Sequence, residues 1–261
     1  MTKAVFSAHP TIAITGASAG IGEETALLFA ERGWRVVLGA RRRDRLEEIA
    51  KKLKAAGAHD VAVATLDVTL DESVKKFAEV VWGACGHRLD VLFNNAGLAL
   101  GVDHVAKGSM ADWQSMLDTN VTGLLRVTRE FLPKMLEVSH GHIINMGSIA
   151  GHVVYEGGSV YAATKHAVRA ITRTIRLEVN GTPIRVSSVD PGMVETDFSL
   201  VRFKDDAERA KNIYKGVTPL SGRDIAECVW FAASRPAHVN IEEIVLMPVD
   251  QAAPHKLNRK S

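Results

Sequence analysis

Residues 11–22 read Thr11-Ile-Ala-Ile-Thr-Gly16-Ala-Ser-Ala-Gly20-Ile-Gly22. Ile12 and Ile14 are β-branched and stand directly before three glycines, so the stretch reads as a buried strand that runs into a bare turn. A helix over residues 23–32 follows and points its positive end at that turn. Gly16, Gly20 and Gly22 leave the backbone open, so a phosphate can approach free N–H groups. Such a strand-to-helix turn is either a nucleotide pyrophosphate cradle in a doubly wound α/β protein or an ordinary structural β–α turn. The spacing, T-G-x-x-x-G-x-G, is narrower than G-x-G-x-x-G.

Outward from this turn, strand and helix signals alternate to the end of the chain, without a repeat or a Pro/Ser-rich linker. Strands are expected at 35–40, 61–66, 89–93, 142–146, 184–189 and 243–247, and helices at 41–55, 69–83, 112–138, 161–179 and 222–234. Thr69-Leu-Asp-Glu72 carries a capping signal, and Asp112 is expected to cap the long helix to Val138. This order predicts one α/β domain over 1–261, a Rossmann-type doubly wound parallel sheet of about seven strands with helices on both faces.

With 261 residues the chain buries a full core, and 32 basic against 30 acidic residues, net +2, give no reason to expect nucleic acid or an anionic membrane. No run approaches a membrane span of about 18 apolar residues. The opening MTKAVFSAHP is too short an apolar run for a signal peptide, and the closing His-Lys-Leu-Asn-Arg-Lys-Ser is no retrieval signal, so a cytoplasmic protein is expected. Cys85 and Cys228 lack metal spacing and read as reduced structural thiols. His87, His104, His140 and His142 have no ligand partners at suitable spacing, so no metal is expected. Trp34, Trp82, Trp113 and Trp230 read as core.

The chemistry-bearing clusters all stand at the C-terminal ends of strands, the edge that carries the ligand crevice in open α/β sheets. They are the glycine turn, Arg41-Arg42, Asp67, Asn94 to Gly97, Ser148 and Pro191-Gly192. Where a carboxylate at position 41 would bind a ribose 2′-hydroxyl, Arg41 and Arg42 suit a 2′-phosphate, or else begin a solvated helix. Tyr161 and Lys165 share a helix face, and an ammonium beside a phenol favours the phenolate, which makes the pair an acid/base device. The alternative is an amphipathic helix with an exposed lysine.

Taken together, Thr15-Gly16-Ala-Ser-Ala-Gly20-Ile-Gly22, Asn94-Asn-Ala-Gly97, Asn120, Ser148, Tyr161-Ala-Ala-Thr-Lys165 and Pro191-Gly192 resemble the single-domain short-chain dehydrogenase/reductases over nearly the whole chain. The resemblance implies hydride transfer with a nicotinamide cofactor and a catalytic tetrad of Asn120, Ser148, Tyr161 and Lys165. It implies NADP as cofactor, bound by Gly16, Ser18, Ala19, Gly20, Ile21, Gly22, Arg41, Arg42, Asp67, Val68, Asn94, Ala96, Gly97, Tyr161, Lys165, Pro191, Gly192, Val194 and Thr196. A homotetramer is implied too, with helices 112–138 and 161–179 between subunits.

The last third, with Asp190-Pro-Gly-Met-Val-Glu-Thr-Asp-Phe-Ser199, Val201-Arg-Phe-Lys204 and Met247-Pro-Val, is similar to the NADP-dependent 3-hydroxy acid dehydrogenases, also described as serine or L-allo-threonine dehydrogenases. Val249-Asp-Gln-Ala stands where 3-oxoacyl-carrier-protein reductases usually have a glycine-rich strand and Asp-Gly-Gly. The expected substrate is thus a small 3-hydroxy acid of the serine, allo-threonine or 3-hydroxypropionate type. Other carbonyls, such as ketones, diketones or sugars, are the nearest alternative, and a non-enzymatic NADP-binding regulator is a distant one. Segment 195–218 reads as a lid or a surface insertion. Within it Arg202, alternating with Val201 and Phe203, is expected to clamp the substrate acid group beside Ser148 and Tyr161, or else to pair with Asp205 or Asp206. His152 and Glu156 fall on a substrate loop or an exposed polar loop.

Overall fold

In the computed structural model, residues 9–260 are described. The opening residues 1–8, read above as too short for a signal peptide, lie outside that span, as does Ser261. The chain runs β1 (Thr11–Thr15), α1 (Gly20–Glu31), β2 (Arg35–Ala40), α2 (Arg43–Ala55), β3 (Asp60–Thr65), α3 (Asp71–Cys85) and β4 (Val91–Asn94). It continues through α4 (Met110–Leu117), α5 (Leu124–Glu137), β5 (His142–Met146), α6 (Ser159–Glu178), β6 (Arg185–Pro191), α7 (Phe198–Arg202), α8 (Ala207–Asn212), α9 (Gly222–Ala233) and β7 (Glu243–Leu246). The seven strands pair in parallel in the order β3-β2-β1-β4-β5-β6-β7. The chain enters at the centre, winds outward through β2 and β3, then returns to the other side of β1. That reversal opens a crevice beyond the carboxyl ends of β1 and β4.

Period-two alternation sends apolar side chains to both faces of the sheet. Ile12, Ile14, Val36, Leu38, Val91 and Phe93 pack with Phe29, Leu46 and Val229 of α1, α2 and α9. Ala13, Val37, Leu92 and Ile143 pack on the other face with Phe77, Phe131 and Ile175 of α3, α5 and α6. Trp34 is buried, Trp230 stacks edge-on against it and Phe29, and Trp82 leans on Phe131. Cys85 and Cys228 are free thiols. No helix among the described residues is long and apolar enough to cross a membrane.

Three local expectations change. The helix over 112–138 is two helices, α4 and α5, joined by a π-helical turn (Asp118–Gly123), and Ser109 rather than Asp112 caps it, accepting from Asp112 N–H at 3.3 Å. The wide turn carries Asn120, whose amide bonds leave the helix for Leu98 and Thr164. The capping signal at Thr69 does not form, because the Thr69 hydroxyl donates to Asp67 at 2.7 Å and Leu70 takes the N-cap place. After β7 a small hairpin, β8 (Gln251–Ala253) with β9 (Lys256–Leu257), extends the chain beyond the expected last strand. Segment 195–218 is an excursion closed at its base by the Val194–Leu220 bridge and folded into α7 and α8.

Candidate active site

A cleft of about 840 Å³ lies along the carboxyl ends of the strands, near the upper end of the roughly 300–1,000 Å³ usual for ligand pockets. Its floor at one end is the glycine turn. Gly16 has φ 67°, and a side chain there would put its Cβ 2.8 Å from Ala96 Cα. Helix α1 starts from Ala19 with no side-chain cap, so the N–H groups of its first turn stay open to an anion. Ser18, Ala19, Gly20 and Ile21 line this wall. Gly22 does not; its missing side chain lets α1 approach Gly16 O and the Asn95 amide, which a Cβ would meet at 2.5 and 2.7 Å. The bare position lets the helix pack against the turn, while the Gly22 N–H belongs to the open first turn of α1.

Arg41 and Arg42 both face the cleft beyond β2. Arg42 donates from Nη2 to the Ser18 hydroxyl at 3.0 Å, tying this edge to the glycine turn, while Arg41 is exposed. Asp67 lies opposite with Val68. Partial burial opposes its charge, but two bonds from Thr69, with Arg41 and Arg126 nearby, hold the carboxyl below its ordinary range. The fit to a dinucleotide phosphate is therefore physical: a turn with no side chain at Gly16 and Gly20, an uncapped helix start and two guanidinium groups at one end of a single cleft.

Of the run after β4, Ala96 and Gly97 line the cleft but Asn94 does not. Asn94 is buried with its amide donating to Thr128 at 3.1 Å and Asn145 at 2.9 Å. Strand parity explains this: Asn94 follows Leu92 onto the α5–α6 face, so the next residue, Asn95, turns to the crevice. Asn95 donates from Nδ2 to Thr15 O at 3.0 Å and Gly16 O at 3.1 Å, bracing the turn. Applying alternation to the Asn94-Asn95 pair would have found it.

At the other end Ser148, Tyr161 and Lys165 come together, with Pro191, Gly192, Val194 and Thr196 on the adjoining wall. Ser148 follows β5 and accepts from Ala150 N–H at 3.1 Å. Tyr161 and Lys165 stand one turn apart on α6, the ammonium 5.8 Å from the phenol ring centre. Lys165 donates to Met146 O at 2.9 Å. Burial pushes the Tyr161 phenol up to about 12 against the pull of Ser148, and lowers the Lys165 ammonium to about 8 against the pull of Asp190. The groups that draw the phenol down are Ser148 and Arg202 rather than the lysine expected to do so, and loss of water outweighs them. Asn120 is buried behind the wall, accepting from Leu98 N–H at 2.9 Å and donating to Leu98 O at 2.8 Å. It holds the loop after β4 and makes no direct bond to Lys165.

Arg202 stands beside this end without being among the residues that line the cleft, and it comes from the last residue of a short helix rather than from an alternating strand. Its guanidinium carbon lies 5.7 Å from the ring centres of both Tyr155 and Tyr161. Nε donates to Gly101 O at 3.3 Å and Nη2 to the Tyr155 hydroxyl at 3.0 Å. Pairing with Asp205 or Asp206 is not seen; Asp206 instead caps α8. Tyr155, which the sequence did not single out, braces Arg202 from outside the cleft lining. Glu156 is exposed and pairs with His104 at 2.9 Å. His152 turns away from the cleft to Asp190 at 2.6 Å.

The family model for short chain dehydrogenases matches residues 10–207. A serine 3-dehydrogenase of Rhizobium radiobacter is 44% identical over 243 residues, 93% of this chain and 95% of that protein. The NADP-dependent 3-hydroxy acid dehydrogenase YdfG of Escherichia coli strain K12 is 42% identical over 243 residues, 92% of this chain and 96% of that protein. A solved closed form of serine dehydrogenase complexed with NADP+ superposes with a TM-score of 0.89 at 41% identity, over 96% of this chain and 99% of that one.

Proposed function

The chain belongs to the short-chain dehydrogenases, and from that membership and the cleft we propose an NADP-dependent oxidoreductase that interconverts a small 3-hydroxy acid and its 3-oxo form. The observation that carries the acid is Arg202, braced by Gly101 and Tyr155 over the Tyr161 ring. Its Nη1 has no hydrogen-bond partner among the described residues, so one edge of a preset guanidinium is left for a carboxylate. The relatives named for serine and for 3-hydroxy acids support the same reading.

When bound, NADP supplies the hydride chemistry. The glycine turn and the start of α1 would hold its pyrophosphate, Arg41 and Arg42 its 2′-phosphate, and Lys165 the nicotinamide ribose. In reduction Tyr161, un-ionised at neutral pH, gives its proton to the substrate oxygen. Ser148 hydrogen-bonds that oxygen, and Lys165 lends positive charge as the phenolate forms. Keeping these side chains together suits turnover better than regulation alone. Segment 195–218 serves as the lid, since Thr196, Asp197, Phe198 and Val201 form one side of the cleft. A cytoplasmic site of action and a homotetramer go with this reading.

The test compares kcat/KM for a 3-oxo acid and an uncharged aldehyde of similar size. In Arg202→Leu the acid should lose about 2–4 kcal/mol of transition-state binding, mostly through KM, with the aldehyde little changed. An unchanged ratio would leave Arg202 as a lid residue and remove the acid from the proposal.

A further inference from the structure

Behind Ser148 and Lys165 lies a buried carboxylate that the mechanism above does not use. Asp190 is the penultimate residue of β6, at 2% exposure. Its Oδ2 accepts from His152 Nε2 at 2.6 Å, while Oδ1 has no hydrogen-bond partner. Oδ1 lies against Gly147, where a side chain would place its Cβ only 1.8 Å away. Gly147 is the link between Met146, whose carbonyl holds the Lys165 ammonium, and Ser148. The carboxylate thus fills the side-chain place of the residue that joins two parts of the catalytic site.

What lies beyond Asp190 is a chain of polar contacts. His152 Nε2 is 3.7 Å from Glu243, and Arg169 donates to both Glu243 oxygens at 2.7 and 3.3 Å. With guanidinium on both oxygens, the His152–Asp190–Glu243 cluster is an ion-pair network rather than a cation site.

We propose that Asp190, anchored by His152, is a positioning residue for the reduction: it fills the side-chain place of Gly147 and so seats the Met146–Ser148 turn, which carries the carbonyl that holds Lys165 and the hydroxyl of Ser148. Burying a carboxylate with one oxygen unpartnered is costly, and burial holds Asp190 above the ordinary carboxylate range against the pull of His152 and Ser188; its negative charge in turn opposes the burial of Lys165 and of Arg169. The other charged and titratable groups are accounted for. Tyr155 and Arg202 face the Tyr161 phenol from the 152–158 loop and from α7, and Glu243, Arg169 and Arg173 ring the far side of His152.

The inference rests on the reductase reading but not on the acid substrate. Rates are therefore taken with NADPH and whichever of the matched 3-oxo acid and aldehyde is reduced faster. Removing the negative charge lowers the proton affinity of both Lys165 and Tyr161. In Asp190→Asn the alkaline limb of kcat/KM should move down by about half a pH unit or more. NADPH binding, read by its fluorescence, should lose its strength at correspondingly lower pH. Gly147→Ala, which drives the carboxylate out, should move the limb the same way and lower Tm. Gly147→Ala/Asp190→Ala, in which the new methyl occupies the vacated space, should regain the Tm but keep the displaced limb; it carries the same test should Asp190→Asn fold poorly. A limb that stays at its parental pH in Asp190→Asn and in the double variant, whatever happens to Tm, makes Asp190 a packing residue and overturns the proposal. An enzyme with no preference for the acid would instead sink only the substrate assignment.

Discussion

A phenol held near 12 and an ammonium held near 8 describe a site poised to give a proton rather than take one. Both values follow from loss of water, which disfavours each charged form in its own direction. The lysine carries a sign that can be worked through. Its folded value lies below the ordinary 10.5, so the charge is buried at a cost that is full below pH 8 and is relieved as pH rises toward 10.5. Lys165→Met should therefore abolish turnover yet raise stability at pH 7, by up to about 3 kcal/mol, in denaturant unfolding. In the parent, reduction should decline as pH rises through about 8, where the ammonium is lost. A variant that is clearly less stable than the parent at pH 7 would show that the Met146 bond outweighs the buried charge.

At the scale of elements, the glycine turn and the π-helical turn do similar work by different means. The first brings backbone to a phosphate by omitting side chains; the second widens a helix so that Asn120 can hold the loop after β4. Gly16 is the more exposed to substitution, since φ 67° and a Cβ 2.8 Å from Ala96 Cα penalise any side chain. Gly16→Ala should cost about 1–3 kcal/mol of stability and weaken NADPH binding at least about tenfold. Calorimetry and NADPH fluorescence measure the two, and parental values for both would mean the turn can relax. The lid is tied at several points. Gly101 N–H donates to Arg202 O at 2.9 Å, Lys204 pairs with Asp112 at 2.8 Å, and Arg259 of the tail donates to Ile213 O at 3.1 Å. The tail after β9 thus straps the far end of the excursion that carries Arg202.

Across the whole molecule, two apolar layers on one sheet place Ser148, Tyr161 and Lys165, the side chains proposed to carry the chemistry, at a single rim. Outside that core, Leu125 and Leu136 of α5 and Leu177 of α6 remain exposed. They give the proposed homotetramer a physical surface, with these two helices meeting between subunits. Leu125→Glu combined with Leu177→Glu should reduce the particle mass in sedimentation while leaving the fold intact by circular dichroism. A parent protein that sediments as a monomer would dispose of the assembly.

The fold was legible in the chain because it rests on local rules. Alternating apolar runs, glycine punctuation and the strand–helix order are enough to specify a doubly wound parallel sheet, and the clusters at strand ends mark its binding rim. The family, the NADP preference and the dehydrogenase class were legible for the same reason, since their motifs are contiguous. What tertiary structure alone decided were matters of direction and surroundings. Asn94 and Asn95 are adjacent in the chain, yet one enters the core and the other braces the glycine turn. Tyr161 and Lys165 are spaced as expected, but burial, which no spacing records, pushes the phenol up and the ammonium down. His152, Asp190 and Glu243 come from three distant segments, and only the packing of β5, β6 and β7 side by side makes them one network beneath the site. Spacing along a chain records which side chains share an element; solvent exclusion and contacts between elements arise only when those elements pack.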